Sequence, residues 1–564
     1  MKILRINCRL REGITEPLPP EWTRYGGRGL IAQIMHTEDV IDTNPLGQKN
    51  KLIWAPGLLS GFSISSCDRI SVGGQSPLTR GIKESNGGGV VAKNITDLGF
   101  CAIILEDQPA SGDDWSIIYV SSREMRFDPA NEIIGWDIPR VGEYLLNKYG
   151  KSVGISAIGP AGERQYLSAA IAHLDKDGSL SRMSARGGMG AVMGSKRIKA
   201  LVFDAQRNEV PVIADPLLFE HTKKTYHQKL LNNEMTGSVW PKYGTAAMVQ
   251  FCNAVGALPT NGFSRGNFDG ADEISGETLY DLIVNRGGNP SHACMPGCLI
   301  RCSNTFADAQ GNIILSPIEY ETIALMGSNL GIHDLDRIAE MNSIANCVGV
   351  DTIEVGAAMG VLAGTPDFEF GNGDRAIQLM REIEQDTELG RTIANGACHT
   401  GRHFGIKRVP AVKGQAMPGY DPRGTKGTGV TFATSPQGAD HTCGLTIRAK
   451  VDQAGKDGQI ELSRTAQYKN AAIDSLGMCY FAAVVADEFL VKDLINAVYG
   501  WGVDERFMLK LGRETILCER EVNQKAGLTK DDDRIPNWIK EEALSPSDSV
   551  FDIPDEELDK IFED

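Results

Sequence analysis

The stretch HACMPGCLIRCSN, residues 292–304, sets Cys294, Cys298 and Cys302 in a C-x3-C-x3-C pattern. Three thiols within nine positions are most of a metal site, and a tetrahedral ion or a cubane cluster needs a fourth ligand. Pro296 and Gly297 lie between the first two cysteines. They predict a turn rather than a helix, and a turn lets three sulfurs converge. Spacing alone leaves the metal open. Zinc would take the three cysteines with the nearby His292, giving a structural protein without redox chemistry. A cubane would take a remote fourth cysteine. Three incidental cysteines are the remaining reading.

The other nine cysteines, Cys8, Cys67, Cys101, Cys252, Cys347, Cys398, Cys443, Cys479 and Cys518, are scattered singly. In a reducing compartment such residues read as small buried hydrophobes. Fifty-seven basic against 73 acidic residues give a net charge of −16. That argues against nucleic-acid or anionic-membrane partners, which would be repelled. The apolar run MCYFAAVVA (478–486) is too short to span a bilayer. The N-terminal MKILRINCRLREG alternates like a strand and lacks the apolar core of a signal peptide. The sequence therefore predicts a cytoplasmic protein with no membrane span.

At 564 residues, about three or four domains are expected. The first two hundred residues read as β-rich. KLIWAPG, RISVGG, CAIILED, WSIIYVSS and ALVFDAQ are β-favouring runs bounded by turn residues. They do not alternate with long helical patterns, so a doubly wound parallel sheet is not expected, and no internal repeat is apparent. From VPVIADPLLFEHTKKTYHQKLL onward the helical period dominates. In DLDRIAEMNSIANCVG, Leu335, Ile338, Met341, Ala345 and Val348 fall on one face. VKGQAMPGYDPRGTKGTG (412–429) is rich in Gly and Pro, and reads as a boundary or a functional loop. The acidic end, from DDDRIPNW to DEELDKIFED, reads as a tail laid on the surface or partly mobile.

Cys479 sits in AAIDSLGMCYF (471–481), and ANCVGVDTIEVG (345–356) echoes it. Each has the form polar-x-x-Gly-apolar-x. One such motif is ordinarily a helix C-cap; two suit a ligand with two similar halves. Glycine-rich segments recur at RYGGRGLIAQ, SISSCDRISVGGQSPLTRG, ESNGGG, IGPAGERQ and SARGGMGAVMGSKRIKA. Each alone reads as a tight turn. Beside Arg69, Asn86 and Arg186, close backbone approach with guanidinium forks suits a phosphate-bearing ligand. No GxGxxG follows a strand and opens a helix, so a dinucleotide fold is not indicated.

Taken together these stretches resemble the aldehyde:ferredoxin oxidoreductase family. GGRGL, SPLTRG, IGPAGE, RGGMGAVMGSKRIKA, the cysteine triple, SPIEYET, NCVGVDTI, VKGQAMPGYDPRG, ATSPQGADH and DSLGMC run in family order from residue 26 to 479. The resemblance implies an α+β fold. A β-rich saddle-like domain (1–208) would bind a bis-pterin carrying tungsten or molybdenum. A helical domain (209–415) would carry the cysteine triple and the first pterin loop. A second (416–564) would carry His441 and the second pterin loop. It implies that Cys294, Cys298, Cys302 and Cys479 ligate one [4Fe–4S] cluster. Arg69, Asn86, Gly88, Arg186, Gly187, Met189, Asn346, Val350, Asp351, Gln437, Asp474 and Met478 become cofactor-binding residues, with magnesium expected among the pterin phosphates. Three departures stand out. The triple is C-x3-C-x3-C rather than C-x2-C-x3-C. Asn346 stands where the family often has Asp. The chain stops at Asp564, where members commonly continue.

Oxidising an aldehyde adds a water oxygen and removes two electrons, so a base and a donor to the carbonyl oxygen are needed. A lone glutamate is ordinarily a solvated surface residue, and a lone histidine a core or surface one. The resemblance raises Glu321, preferred over Glu319, and His441 above that. If SPIEYET opens a helix, the two glutamates sit about 200° apart and only one faces the site; on a strand they would share a face. Asp440 is a candidate to orient the histidine, a role that adjacency in sequence does not establish. The implied partners are an aldehyde and ferredoxin or an iron–sulfur subunit, and a homodimer is a further expectation. The same cofactors working reductively on an activated acid or aromatic ring form the alternative.

Overall fold

The computed structural model describes residues 1–38, 40–41, 43–110, 112–205 and 212–563. Twelve strands build the N-terminal part as two six-stranded sheets. The first comprises β1 (Lys2–Asn7), β2 (Glu12–Pro17), β3 (Leu52–Pro56), β4 (Ile70–Gln75), β5 (Ile82–Gly87) and β6 (Phe100–Glu106). The second comprises β7 (Ser116–Ser121), β8 (Met125–Pro129), β9 (Gly154–Ala157), β10 (Ile171–Leu174), β11 (Leu180–Ser184) and β12 (Ile198–Asp204). The strand orders are β2-β1-β6-β3-β4-β5 and β8-β7-β12-β9-β10-β11.

These two orders are the same topology written twice. In each sheet the first and sixth strands pair parallel and every other pair is antiparallel. Helices repeat with the strands. α1 (Gly27–Thr37) and α3 (Ile138–Tyr149) follow the second strand of each half, and α2 (Val91–Asp97) and α5 (Met189–Ser195) precede the sixth. The short turn α4 (Pro160–Glu163) belongs to the second half alone. The sequence reading found no repeat, and the structure corrects it. The duplication lies in strand order and alternation, while side chains and loop lengths have diverged.

Alternation explains the layering. A strand side chain points to one face, and its neighbour to the other. In β6, Ile103 and Leu105 enter the layer between the sheets while Ala102 and Ile104 face α1. In β12, Leu201 and Phe203 enter that same layer while Ala200 and Val202 face α3. The sheets thus pack face to face with one helix outside each. Buried on both sides, their central strands read as unbroken apolar runs.

After the second sheet the chain is mainly helical, opening with α6 (Pro216–Asn232), whose cap Asp215 accepts the Leu218 N–H. The expected face Leu335, Ile338, Met341, Ala345 and Val348 lies on the helix Leu335–Val348, and all five are buried. A three-stranded sheet of β13 (Asn289–His292), β14 (Ser303–Ala307) and β15 (Ile313–Leu315) interrupts the helices. The boundary expected between residues 208 and 209 lies outside the described residues. The one expected at 415/416 falls inside the ribbon Ala411–Val412/Gln415–Ala416. One apolar core joins residues from both sides of it, including Phe306, Ile323, Val430 and Phe551. The acidic end is not a surface tail. Ile535, Ile539, Phe551, Ile553, Leu558 and Ile561 are buried in that core, so apolar residues between the charges anchor it. No described helix is long and apolar enough to cross a membrane.

Candidate functional site

The cysteine triple is the connection between β13 and β14, an antiparallel pair. Gly297 has φ +71°, a turn conformation that suits glycine. Pro296, Gly297 and Arg301 are exposed while Cys298 is buried, so the loop links the surface to the interior. The segment Ser65–Arg69 fastens it. Ser65 Oγ accepts the Leu299 N–H at 3.0 Å, Ser66 Oγ lies 3.3 Å from Cys298 Sγ, and Ser66 O accepts the Cys479 N–H at 2.7 Å. Cys294 donates a hydrogen bond to Cys298 and pulls that thiol down to about 6. Cys302 has Cys479 and Cys298 as electrostatic neighbours, and burial pushes both Cys302 and Cys479 up. The four thiols therefore converge.

Their spread bears on the choice of metal. Tetrahedral zinc at about 2.3 Å holds its sulfurs roughly 3.8 Å apart. Among the described residues the only three potential ligands within 4.8 Å of one another are Asp175, Asp177 and His292. Among the described residues no three of the cysteine sulfurs lie within 4.8 Å of one another, although Cys294 and Cys298 are close enough to hydrogen-bond. His292, the fourth ligand of the zinc reading, is engaged elsewhere: its Nε2 lies 3.2 Å from Asp175, which also pairs with Arg182 at 3.2 Å. His292 is thus held by Asp175 rather than by the cysteines.

Both D/N-x-x-G loops are helix C-caps, the plain reading of each. Gly349 (φ +84°) ends Leu335–Val348, and Gly477 (φ +73°) ends Gln459–Leu476. Their docking partners are the informative part. A Cβ on Gly57, just after β3, would meet Gly477 N at 1.9 Å; one on Gly159, just after β9, would meet Val348 O at 2.4 Å. These are corresponding positions in the duplicated halves. Leu58 and Leu59 N–H groups bond to Ser475 O and Leu476 O, and the Ala170 N–H bonds to Gly349 O. Each half of the saddle holds one cap, and glycine is required because backbone touches backbone.

Between the caps runs a chain of buried charges. Arg28, fully buried, forms a two-pronged pair with Glu519 (2.8 and 2.8 Å) and reaches Asp474 at 3.3 Å. Gln437 donates to Glu519 at 2.8 Å and accepts from Lys83 at 3.2 Å. Lys83 pairs with Asp440 at 2.6 Å, and Arg186 with Asp351 at 3.2 Å. Lys83 and Arg186 hold Asp440 well below the usual carboxylate range. Burial, with Glu84 nearby, raises Asp474 to about 8, and burial raises Glu354 to about 7. Gly187 (φ +79°) turns beside Lys83, whose Cγ would meet an added Cβ at 2.3 Å. Removing one partner from such a pair leaves a buried charge uncompensated, at about 3–5 kcal/mol. Glu519→Gln is therefore expected to lower the melting temperature by several degrees. An unchanged transition would refute the role given to the Arg28–Glu519 pair.

Arg69 donates to Asn86 through Nε and through NH2 to its carbonyl (3.2 Å). Arg69, Cys294, Cys302 and Glu319 are surrounded by protein and yet keep accessible surface. Gly88 faces Cys294 Sγ, an added Cβ falling 3.3 Å from it.

SPIEYET does open a helix, Tyr320–Met326, with Glu319 at its N-cap. The two glutamates diverge accordingly. Glu319 accepts from Thr245 and neighbours Cys302, Arg182 and Arg69. Glu321 accepts the Gly419 N–H through Oε2 at 2.7 Å, and its Oε1 lies 3.6 Å from His441 Nε2. His441 Nδ1 stands 3.7 Å from Asp440 Oδ1. Glu321 Oε1 and His441 Nδ1 are buried polar atoms with no hydrogen-bond partner. Such atoms are costly where they stay unsatisfied.

Other expected residues fall differently. Met189 packs between the sheets, Met478 in the core beside Met295 and Ile300, and Val350 in the helical core. Among the described residues no hydrogen bond joins Asn346 to the site; Asp351 carries that loop's polar contact, through Arg186. Sequence reasoning missed Arg28, Lys83, Glu84, Glu354 and Glu519. Arg28 alone had a signal, standing between glycines in GGRGL.

The chain matches two family descriptions: "Aldehyde ferredoxin oxidoreductase, N-terminal domain" over residues 3–205, and "Aldehyde ferredoxin oxidoreductase, domains 2 & 3" over residues 221–564. It is 32% identical to the tungsten-containing aldehyde ferredoxin oxidoreductase of Pyrococcus furiosus, covering 94% of this chain and 89% of that protein. With the enzyme of the same name from Thermococcus kodakarensis it shares 31%, covering 96% and 92%. A solved structure, the active-site complex BamBC of benzoyl coenzyme A reductase with 1,5-dienoyl-CoA, superposes with a TM-score of 0.80 over 95% of this chain and 90% of that one. At 18% identity that likeness shows the fold alone. With both family descriptions matched and the duplicated saddle carrying its two helical caps, the chain belongs to the aldehyde ferredoxin oxidoreductase family of oxidoreductases.

Proposed function

We propose that this protein oxidises an aldehyde to its carboxylic acid at a bis-pterin tungsten or molybdenum centre. The electrons leave singly through a [4Fe–4S] cluster to ferredoxin or an iron–sulfur subunit. The observation that carries this reading is the pair of unsatisfied atoms, Glu321 Oε1 and His441 Nδ1, on side chains 3.6 Å apart.

The residues fit the cofactors. Cys294, Cys298, Cys302 and Cys479 would hold the cluster, and Arg69 and Asn86 would meet the pterin phosphates and their magnesium. Asp351, Arg186, Asp474 and Gln437 line the two caps and the charge chain between them. When bound, the metal centre supplies the acceptor for two electrons. The protein supplies proton handling. Glu321 is fixed through Oε2 by the Gly419 N–H, which leaves Oε1 to take a proton from water or from the aldehyde hydrate. His441 stands beside the ionised Asp440 and offers its ring to the carbonyl oxygen as donor.

Anaerobically purified protein should contain iron at about four per chain with one tungsten or molybdenum, and should reduce a viologen dye on addition of an aldehyde. Zinc alone, or no aldehyde-dependent reduction in metal-replete protein, would overturn the proposal.

A further inference from the structure

Beside the Glu321–His441 pair lies a cation that the proton chemistry does not use. Arg448 follows the turn His441–Cys443 by five residues. Its guanidinium lies 4.9 Å from the centroid of the Trp240 ring, and NH2 sits 2.8 Å from the Met248 sulfur. Among the described residues no carboxylate pairs with it. A thioether is a weak acceptor, and a guanidinium carries five donors in a planar fork. The side chain is exposed, so a small anion can reach it.

Its neighbours are aromatic. Trp240 packs on Phe481 at 4.5 Å and Phe481 on Tyr480 at 5.8 Å. Tyr420 lies 6.0 Å from His441 and 5.3 Å from Tyr320. Tyr420 and Cys252 each feel both Glu321 and Arg448. The reactive pair and the unpaired cation therefore share Tyr420 and Cys252 as neighbours. Trp240 Nε1, buried, also has no partner. A solvated surface arginine would be expected to find one of this chain's 73 acidic residues, and this one rests on a sulfur and an indole instead.

We propose that Arg448 receives the carboxylate of an anionic aldehyde. The substrate carries its charge at the end remote from the reacting carbonyl, with an apolar or aromatic middle between the two. The inference rests on the aldehyde reading and narrows its substrate class.

The test compares 4-formylbenzoate with benzaldehyde in dye-linked assays of the holoenzyme, for the natural protein, Arg448→Met and Arg448→Lys. Arg448→Met should lower the ratio of kcat/KM, anionic over neutral, by about tenfold or more and mainly through KM, as expected for losing a charge-assisted pair. Arg448→Lys should restore part of it. A ratio unchanged within about twofold would overturn the proposal. An equal drop for 4-formylbenzenesulfonate would overturn the carboxylate assignment. If neither aldehyde is oxidised, the functional reading fails, and calorimetry with terephthalate still decides the site. Binding to the natural protein that weakens about tenfold in Arg448→Met supports the assignment; equal or absent binding refutes it.

Discussion

Glu321→Gln is expected to reduce turnover by about 10²–10⁴-fold while iron, tungsten or molybdenum, and pterin stay at the natural stoichiometry. Glutamine keeps the size of the side chain, and its amide oxygen can still accept the Gly419 N–H that Oε2 accepts at 2.7 Å. Only the proton-accepting capacity of Oε1 is lost. The effect should fall on kcat more than on KM, because a base acts in the transition state and contributes little to ground-state binding. Glu319→Gln serves as the comparison. Glu319 sits one helix position before Tyr320 and faces Thr245 and Cys302, so its replacement should disturb the cluster's potential more than proton transfer. Equal losses for both variants, or loss of metal from Glu321→Gln, would show that Glu321 is a structural residue.

Cys479→Ser should strip the cluster. Iron is expected to fall well below about four per chain, and the low-potential EPR signal of the reduced cluster should disappear. Cys67 supplies the control. It is buried and is an electrostatic neighbour of Cys479 and Cys298, and its thiol donates to Ser65 O at 3.4 Å. Cys67→Ser should keep both iron and signal. The reverse pattern would make Cys67 the fourth ligand, and an unchanged signal in both variants would remove this segment from the cluster altogether.

The sequence carried the cysteine cluster unusually far. Pro296 and Gly297 announced a turn, and a turn is what joins β13 to β14. The split between Glu319 and Glu321 followed from helical geometry alone. Strands β3, β4, β6, β7 and β12 were legible because each is short, rich in β-branched and aromatic residues and bounded by turns. Two things were not. The duplication leaves no repeated residues, since sheet topology constrains alternation and strand order but not side-chain identity. The buried charges were hidden because Lys83, Glu354 and Glu519 look like ordinary surface residues until the fold pairs them with partners far along the chain. The closing acidic segment misled for a similar reason: net charge masked the spacing of Ile535, Ile539, Phe551 and Ile561.

The twofold plan of the saddle breaks at one residue. On the first sheet the cap at Gly477 leads two positions on to a thiol, Cys479. On the second, the cap at Gly349 leads two positions on to a carboxylate, Asp351, already spent on Arg186 at 3.2 Å. With Cys479 as a cluster ligand, as proposed, the two-sheet cradle would acquire a direction, and electrons would leave by the half built from residues 1–106.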